Sequence, residues 1–174
     1  MGERTRPDPT PHLVAVARAV TETGQPATAL AALDKALDQA FGHKLFTVLV
    51  VNLEANENQR YYSSRPMEYP VGGAKTIVHE GIVARRVIQA GECHINRNFE
   101  DIRAVFFDHE LIRSLGCENS INVPVRWNGQ TYGMLNLLHQ EGWFTEADIP
   151  VLTVFAAIAT PVMQHIVRPI QGIT

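Results

Sequence analysis

The chain has 174 residues, 45% of them hydrophobic, and a formal net charge of −3. A chain of that size fits one domain, which can bury roughly two-thirds of its unfolded surface and needs neither disulfide nor metal to fold. The slight acidity argues against the basic face a nucleic-acid partner demands, and no apolar run approaches the ~20 residues of a membrane span.

Residues 1–10 are polar and contain Pro7 and Pro9, and they read as a disordered lead-in. They lack the apolar core of a secretory signal, and Arg6 stands where a myristoylation pattern needs Ser or Thr. A helix is predicted over 11–22, ended by Gly24. A second starts near Pro26, repeats Leu30, Leu33, Leu37 and Phe41 at helical spacing, and stops at Gly42. The period then changes. Leu45 to Leu53 is a β-branched and aromatic run, and 59–63 begins a second strand, so 45–63 reads as a hairpin. Residues 65–73 are broken by two prolines and a Gly-Gly pair.

Residues 79–90 carry a helical stripe of Ile82, Val83, Val87 and Ile88 that ends at Gly91. Residues 93–95 are a short strand, and 99–115 two short helices around Phe106-Phe107-Asp108. Ser120 to Trp127 and Tyr132 to His139 form a hairpin about Asn128-Gly129. Thr145 and Asp148 make a loose capping box for a last helix striped by Leu152, Phe155, Ile158, Ala159, Val162 and Ile166, which Pro161 should bend. Hairpin strands with segregated helices give an α+β architecture around one antiparallel sheet of about five or six strands. The expected organisation is one domain over 11–168 with a tail at 169–174.

Four segments in this order resemble the GAF domain family: the N-terminal helix leading into Phe46–Leu53, Gly116–Val125, Asn128–Leu137 and Phe144–Leu152. The resemblance implies a central sheet with the N- and C-terminal helices on one face. On the other face, the helices and loops of 64–115 would roof a ligand pocket.

Period two sorts the strands that would floor such a pocket. Ser120 and Asn122 share one face of their strand, and Met134, Asn136 and Leu138 one face of theirs. Asn122 and Asn136 are amides among apolar neighbours, and a buried amide without partners costs about 1–3 kcal/mol. They either bind a ligand or bond backbone and buried water. Phe106, Phe107 and Asp108 lie on the roofing segment. They suit a small ligand with a ring or charge, but one Phe could instead anchor the loop while Asp108 caps the helix that follows. Tyr61 and Tyr62 straddle a strand, and Tyr62 is taken as the pocket-facing member. Arg85, Arg86, Arg103 and Arg113 are candidates for an anion clamp.

The seven histidines show no i, i+4 pair and no metal spacing with Cys93 or Cys117, so no metal is expected. With Cys93 and Cys117 in no CxxC pair, two free thiols are expected. Bilin-binding members of the family carry a Cys-His pair where this chain has Phe107-Asp108, so covalent bilin attachment is unsupported and the cofactor is left unknown. Free methionine sulfoxide reductases also resemble GAF domains, but Val83 stands at one of their thiol positions and Cys117 lies too close to Pro124 to match another. The expected function is a non-catalytic, cytoplasmic small-molecule sensor or regulatory module. It would act as a homodimer through its terminal helices, signalling through oligomerisation or a separate effector protein. A thiol reductase and a structural dimerisation module with a vestigial pocket are the alternatives.

Overall fold

The computed structural model describes residues 5–170, with side chains as far as Arg168. Helices α1 (Thr10–Thr21) and α2 (Ala27–Phe41) lead into strands β1 (Leu45–Asn52), β2 (Glu57–Ser63) and β3 (Lys75–Thr76). A π-helical turn (Ala84–Gln89), β4 (His94–Asn96), α3 (Phe99–Val105) and α4 (His109–Ser114) precede the hairpin of β5 (Asn119–Trp127) and β6 (Gln130–His139). A 3₁₀ turn (Glu146–Asp148) then opens α5 (Ile149–Ile158) and α6 (Thr160–Ile170).

The strands form one six-stranded sheet in the order β3-β2-β1-β6-β5-β4, with every pairing antiparallel. The fold is α+β, as the periodicity predicts. The Asn128-Gly129 turn has positive φ at both residues (48° and 75°), the conformation a tight two-residue hairpin needs. Alternation sends Phe46, Val48, Val50, Ile121, Val123, Leu135 and Leu137 to one face, where they form a continuous core with Leu33, Leu37, Leu152 and Phe155 of the helices. The opposite face holds two smaller clusters. One gathers Leu45, Tyr69, Ile102, Ile112 and Leu138; the other gathers Val51, Ile77, Val87, Ile88 and Met134.

Four details depart from the sequence reading. Residues 82–89 are helical, but Ala84–Gln89 is π-wound rather than α. The irregular stretch after Arg65 ends in the short edge strand β3, whose two residues are both exposed and leave no buried pattern to read. The lead-in is the third. Residues 1–4 lie outside the described residues, but Arg6 is docked rather than free. Its guanidinium reaches both carboxylate oxygens of Asp148, at 2.9 and 3.0 Å, and donates to the carbonyls of Phe41 (2.7 Å) and Trp143 (2.9 Å). The same carboxylate accepts the Thr145 amide in the capping box that the sequence indicated. At the other end, α6 runs to Ile170, into the stretch read as a tail, and 171–174 lie outside the described residues. α5 and α6 meet at 49°, with Pro161 in the first turn of α6. No single helix among the described residues is long and apolar enough to cross a membrane.

Gly133 is the fourth residue of β6, opposite Val50 and Val125. A Cβ there would overlap Met163 Cε and the Leu49 carbonyl. Backbone cannot give way as a side chain can. Gly133→Ala is therefore expected to lower the urea midpoint by the equivalent of about 1–3 kcal/mol, and shortening Met163 as well should restore only part of the loss.

Candidate functional site

Between the two small clusters, the sheet and its cover enclose a cavity of about 420 Å³. Its floor comes from the three central strands. Thr47, Asn136 and Asn122 stand side by side on β1, β6 and β5, because the registers place Thr47 and Asn122 each opposite Asn136. They form a hydrogen-bond chain: Asn136 Nδ2 donates to Thr47 Oγ1 at 3.2 Å, and Asn122 Nδ2 donates to Asn136 Oδ1 at 2.7 Å. All three are buried. The chain leaves one group unspent, since Asn122 Oδ1 has no hydrogen-bond partner. The two amides thus satisfy each other, and Asn122, a residue of the cavity lining, still carries one unmet, buried acceptor.

Leu49, Met134, Leu138, Ile88 and Ile112 supply apolar walls, and Ala104 to Asp108 lies over the floor. Phe106 packs against the cluster of Leu45, Ile102 and Ile112. Phe107 is 77% exposed and stands at the rim, with Lys75 Nζ 3.8 Å above its ring. Asp108 does not cap α4 with its side chain. It accepts the Tyr69 hydroxyl at 2.8 Å and faces the Arg60 guanidinium at 3.5 Å, while Arg60 lies 3.7 Å over the Tyr69 ring and donates to the Pro70 carbonyl. Burial and the neighbouring Asp108 charge push the Tyr69 hydroxyl's pKa up, so it remains a neutral donor.

Of the sequence candidates, Phe106, Phe107, Asp108, Asn122 and Asn136 all line this cavity. Tyr62 does not and is corrected. It pairs with Val48, packs on Phe46 on the helix side of the sheet, and donates to Asp34 Oδ2 at 2.6 Å. The cause is a bulge between Val48 and Leu49 that leaves Tyr61 unpaired and reverses the alternation of β2. Strict period two would put Arg60 and Tyr62 on one face, whereas the bulge turns Arg60 to the cavity and Tyr62 away. Arg60, Tyr69 and Lys75 are the functional candidates the sequence reading missed. None of the four arginines proposed as a clamp lines the cavity: Arg85 is exposed, Arg86 pairs with Glu92, Arg103 with Glu100 and Arg113 with Glu118.

Neither cysteine lines the cavity. Cys117 is fully buried in the cluster of Leu45, Ile102 and Ile112, and burial pushes its thiol up to about 11. Cys93 borders a separate open groove with Ile149 and Thr153, and burial raises its pKa too. Among the described residues no three His, Cys, Asp or Glu side chains gather as a metal site would require.

The floor and the helix-side cluster generate distinct expectations. Asn136→Ala strands the Asn122 amide and should cost about 1–3 kcal/mol in urea unfolding. Phe107→Ala, at an exposed rim, should stay within about 0.5 kcal/mol of the parent. His43 Nε2 lies 2.9 Å from Asp34 Oδ1. Burial alone would lower the His43 pKa, but the Asp34 hydrogen bonds and charge outweigh it and the net shift is upward. The stability it contributes is therefore fully present below its unfolded pKa of about 6.5 and lost as pH rises through the higher folded value. Unfolding curves of the parent and Asp34→Asn should accordingly converge between mildly acidic and alkaline pH.

Residues 14–164 match the family model of the GAF domain. The fold is similar to the GAF domain of a phosphoenolpyruvate-protein phosphotransferase from Coxiella burnetii (15% identity, 96% of this chain and 98% of that chain, TM-score 0.74). It is also similar to the free methionine-R-sulfoxide reductase of Neisseria meningitidis (17% identity, 94% and 95%, TM-score 0.70). A third similar structure is the GAF domain of a two-component sensor histidine kinase from Bacillus halodurans (9% identity, 79% and 92%, TM-score 0.63). No curated protein matches the sequence. With the family model covering most of the chain, and a pocket-bearing antiparallel sheet flanked by its terminal helices, this protein belongs to the GAF domain family.

Proposed function

We propose that this chain is a non-catalytic, cytoplasmic sensor module that binds a small molecule between its sheet and the 64–115 cover. The observation that carries this reading is the cavity of about 420 Å³, within the size range of small-molecule sites, with a buried amide chain in its floor. A structural module would have no need of an unmet acceptor there, because filling the space with apolar side chains costs less than burying amides. Domains similar in fold occur in a sensor kinase and a phosphotransferase, which agrees with a regulatory role.

The reductase reading draws on the fold likeness to the Neisseria enzyme. What weighs against it is placement. Cys117 is shut in a core cluster with a raised pKa, and Cys93 borders the other groove, so neither presents a thiolate to the cavity. Output passes through a partner or a second copy. Val14 of α1 and Val154 of α5 are 42% and 44% exposed on the helices expected to pair.

Mass spectrometry of the natively purified protein should detect a small molecule released on unfolding; a protein that releases none and binds none in a metabolite screen would return the module to a structural role. Cys93→Ser/Cys117→Ser should keep ligand binding and the fold. Turnover of methionine sulfoxide with a thiol reductant, lost in that double variant, would establish the enzyme instead. Light scattering at micromolar concentration should give the mass of a dimer, and Val14→Glu/Val154→Glu should shift it to that of a monomer.

A further inference from the structure

We infer that the cavity takes an amphipathic organic acid: a ring-sized apolar body, an O–H or N–H donor at its buried end, and a carboxylate at the mouth. This rests on the ligand-binding reading above and names the class of ligand.

Three features of the lining divide the ligand into three parts. The deep end is polar but uncharged. Thr47, Asn136 and Asn122 present no formal charge there, and Asn122 Oδ1, on a residue only 2% exposed, lacks a donor. A neutral hydroxyl or N–H completes that chain. An anion would meet the amide oxygen with like polarity and would lose its hydration without a cation to replace it. The middle is apolar, walled by Leu49, Met134, Ile88 and Ile112. The mouth carries surplus positive charge. Among the lining residues the cations are Arg60 and Lys75 and the single carboxylate is Asp108. Asp108 faces Arg60 at 3.5 Å, whereas Lys75 is held over the Phe107 ring with no carboxylate of the described residues in an ion pair with it. A ring face positions an ammonium without neutralising it. Gly72 and Gly73 also line the cavity, with open space where side chains would stand, and Lys75 itself is exposed. An exposed cation at the rim suits a carboxylate that stays half-hydrated while its body is buried.

The test uses the full chain and three probes: 4-hydroxyphenylacetate, phenylacetate without the donor, and 4-methylphenol without the carboxylate. Titration by calorimetry or amide NMR shifts should show 4-hydroxyphenylacetate binding about tenfold more tightly than either comparator, the worth of one hydrogen bond or one partly screened charge. Asn122→Ala should abolish its advantage over phenylacetate, and Lys75→Gln its advantage over 4-methylphenol. Lys75 is exposed, so that variant folds; if Asn122→Ala does not, the probe comparison in the parent protein still decides the donor. Equal affinities for the three probes, or preferences unchanged in the variants, overturn the inference. If no probe binds and the protein releases a molecule lacking the donor or the acid, the inference fails while the ligand-binding reading stands. If no probe binds and nothing is released, both fail.

Discussion

The structure depends on the register of its central strands. Thr47, Asn136 and Asn122 lie in one row across β1, β6 and β5, and the row continues to Ser63 on β2 and His94 on β4. Every residue in it is polar. Flanking rows send Phe46, Leu137 and Ile121, paired across the same strands, to the opposite face. A slip of one residue in any of these strands would exchange the two sets, burying amides against α2 and α5 and emptying Phe46 or Leu137 into the cavity. The penalty for slippage is therefore paid on both faces at once. That is why a sheet with a hollow on one side still holds a single alignment.

The two faces are built to different densities. The helix side is one continuous core closed by four helices, with Phe46, Phe144, Phe155, Leu33 and Leu37 essentially inaccessible. The cavity side is divided into two small clusters beneath short helices, a π-helical turn and a glycine-bearing loop. Local opening follows the thinner packing. Under the proposed sensor role, the cover is the part of the molecule that a ligand would order, and the helix side the part that would pass the change on.

Much of this was legible in the sequence, and the failures have identifiable physical causes. Alternation assigned Asn122 and Asn136 to the cavity face because β5 and β6 are regular through both residues. It failed on Tyr62 because a bulge in β2 inverts the phase, and a bulge involves no residue type that period two can detect. Lys75 escaped notice because an exposed two-residue edge strand has no hydrophobic pattern. Tyr69 and Arg60 meet Asp108 only in three dimensions, from 39 and 48 positions away in the sequence order that folding erases. The capping box at Thr145 was visible as a local pattern, but the guanidinium that completes it was not, since Arg6 is 142 positions distant from Asp148.

That last distance bears on kinetics. A contact closing almost the whole chain forms only after the intervening elements have condensed, because its loop-closure entropy must be met before the bond rewards it. The Arg6 guanidinium, bonded to Asp148 and to two carbonyls, is thus expected to dock late in folding, with a φ-value near zero for Arg6→Ala. Interactions of that kind leave the folding rate nearly untouched and act on the rate of escape from the native state. The residues ahead of α1 that look dispensable by composition would then serve as a clasp on the lifetime of the fold.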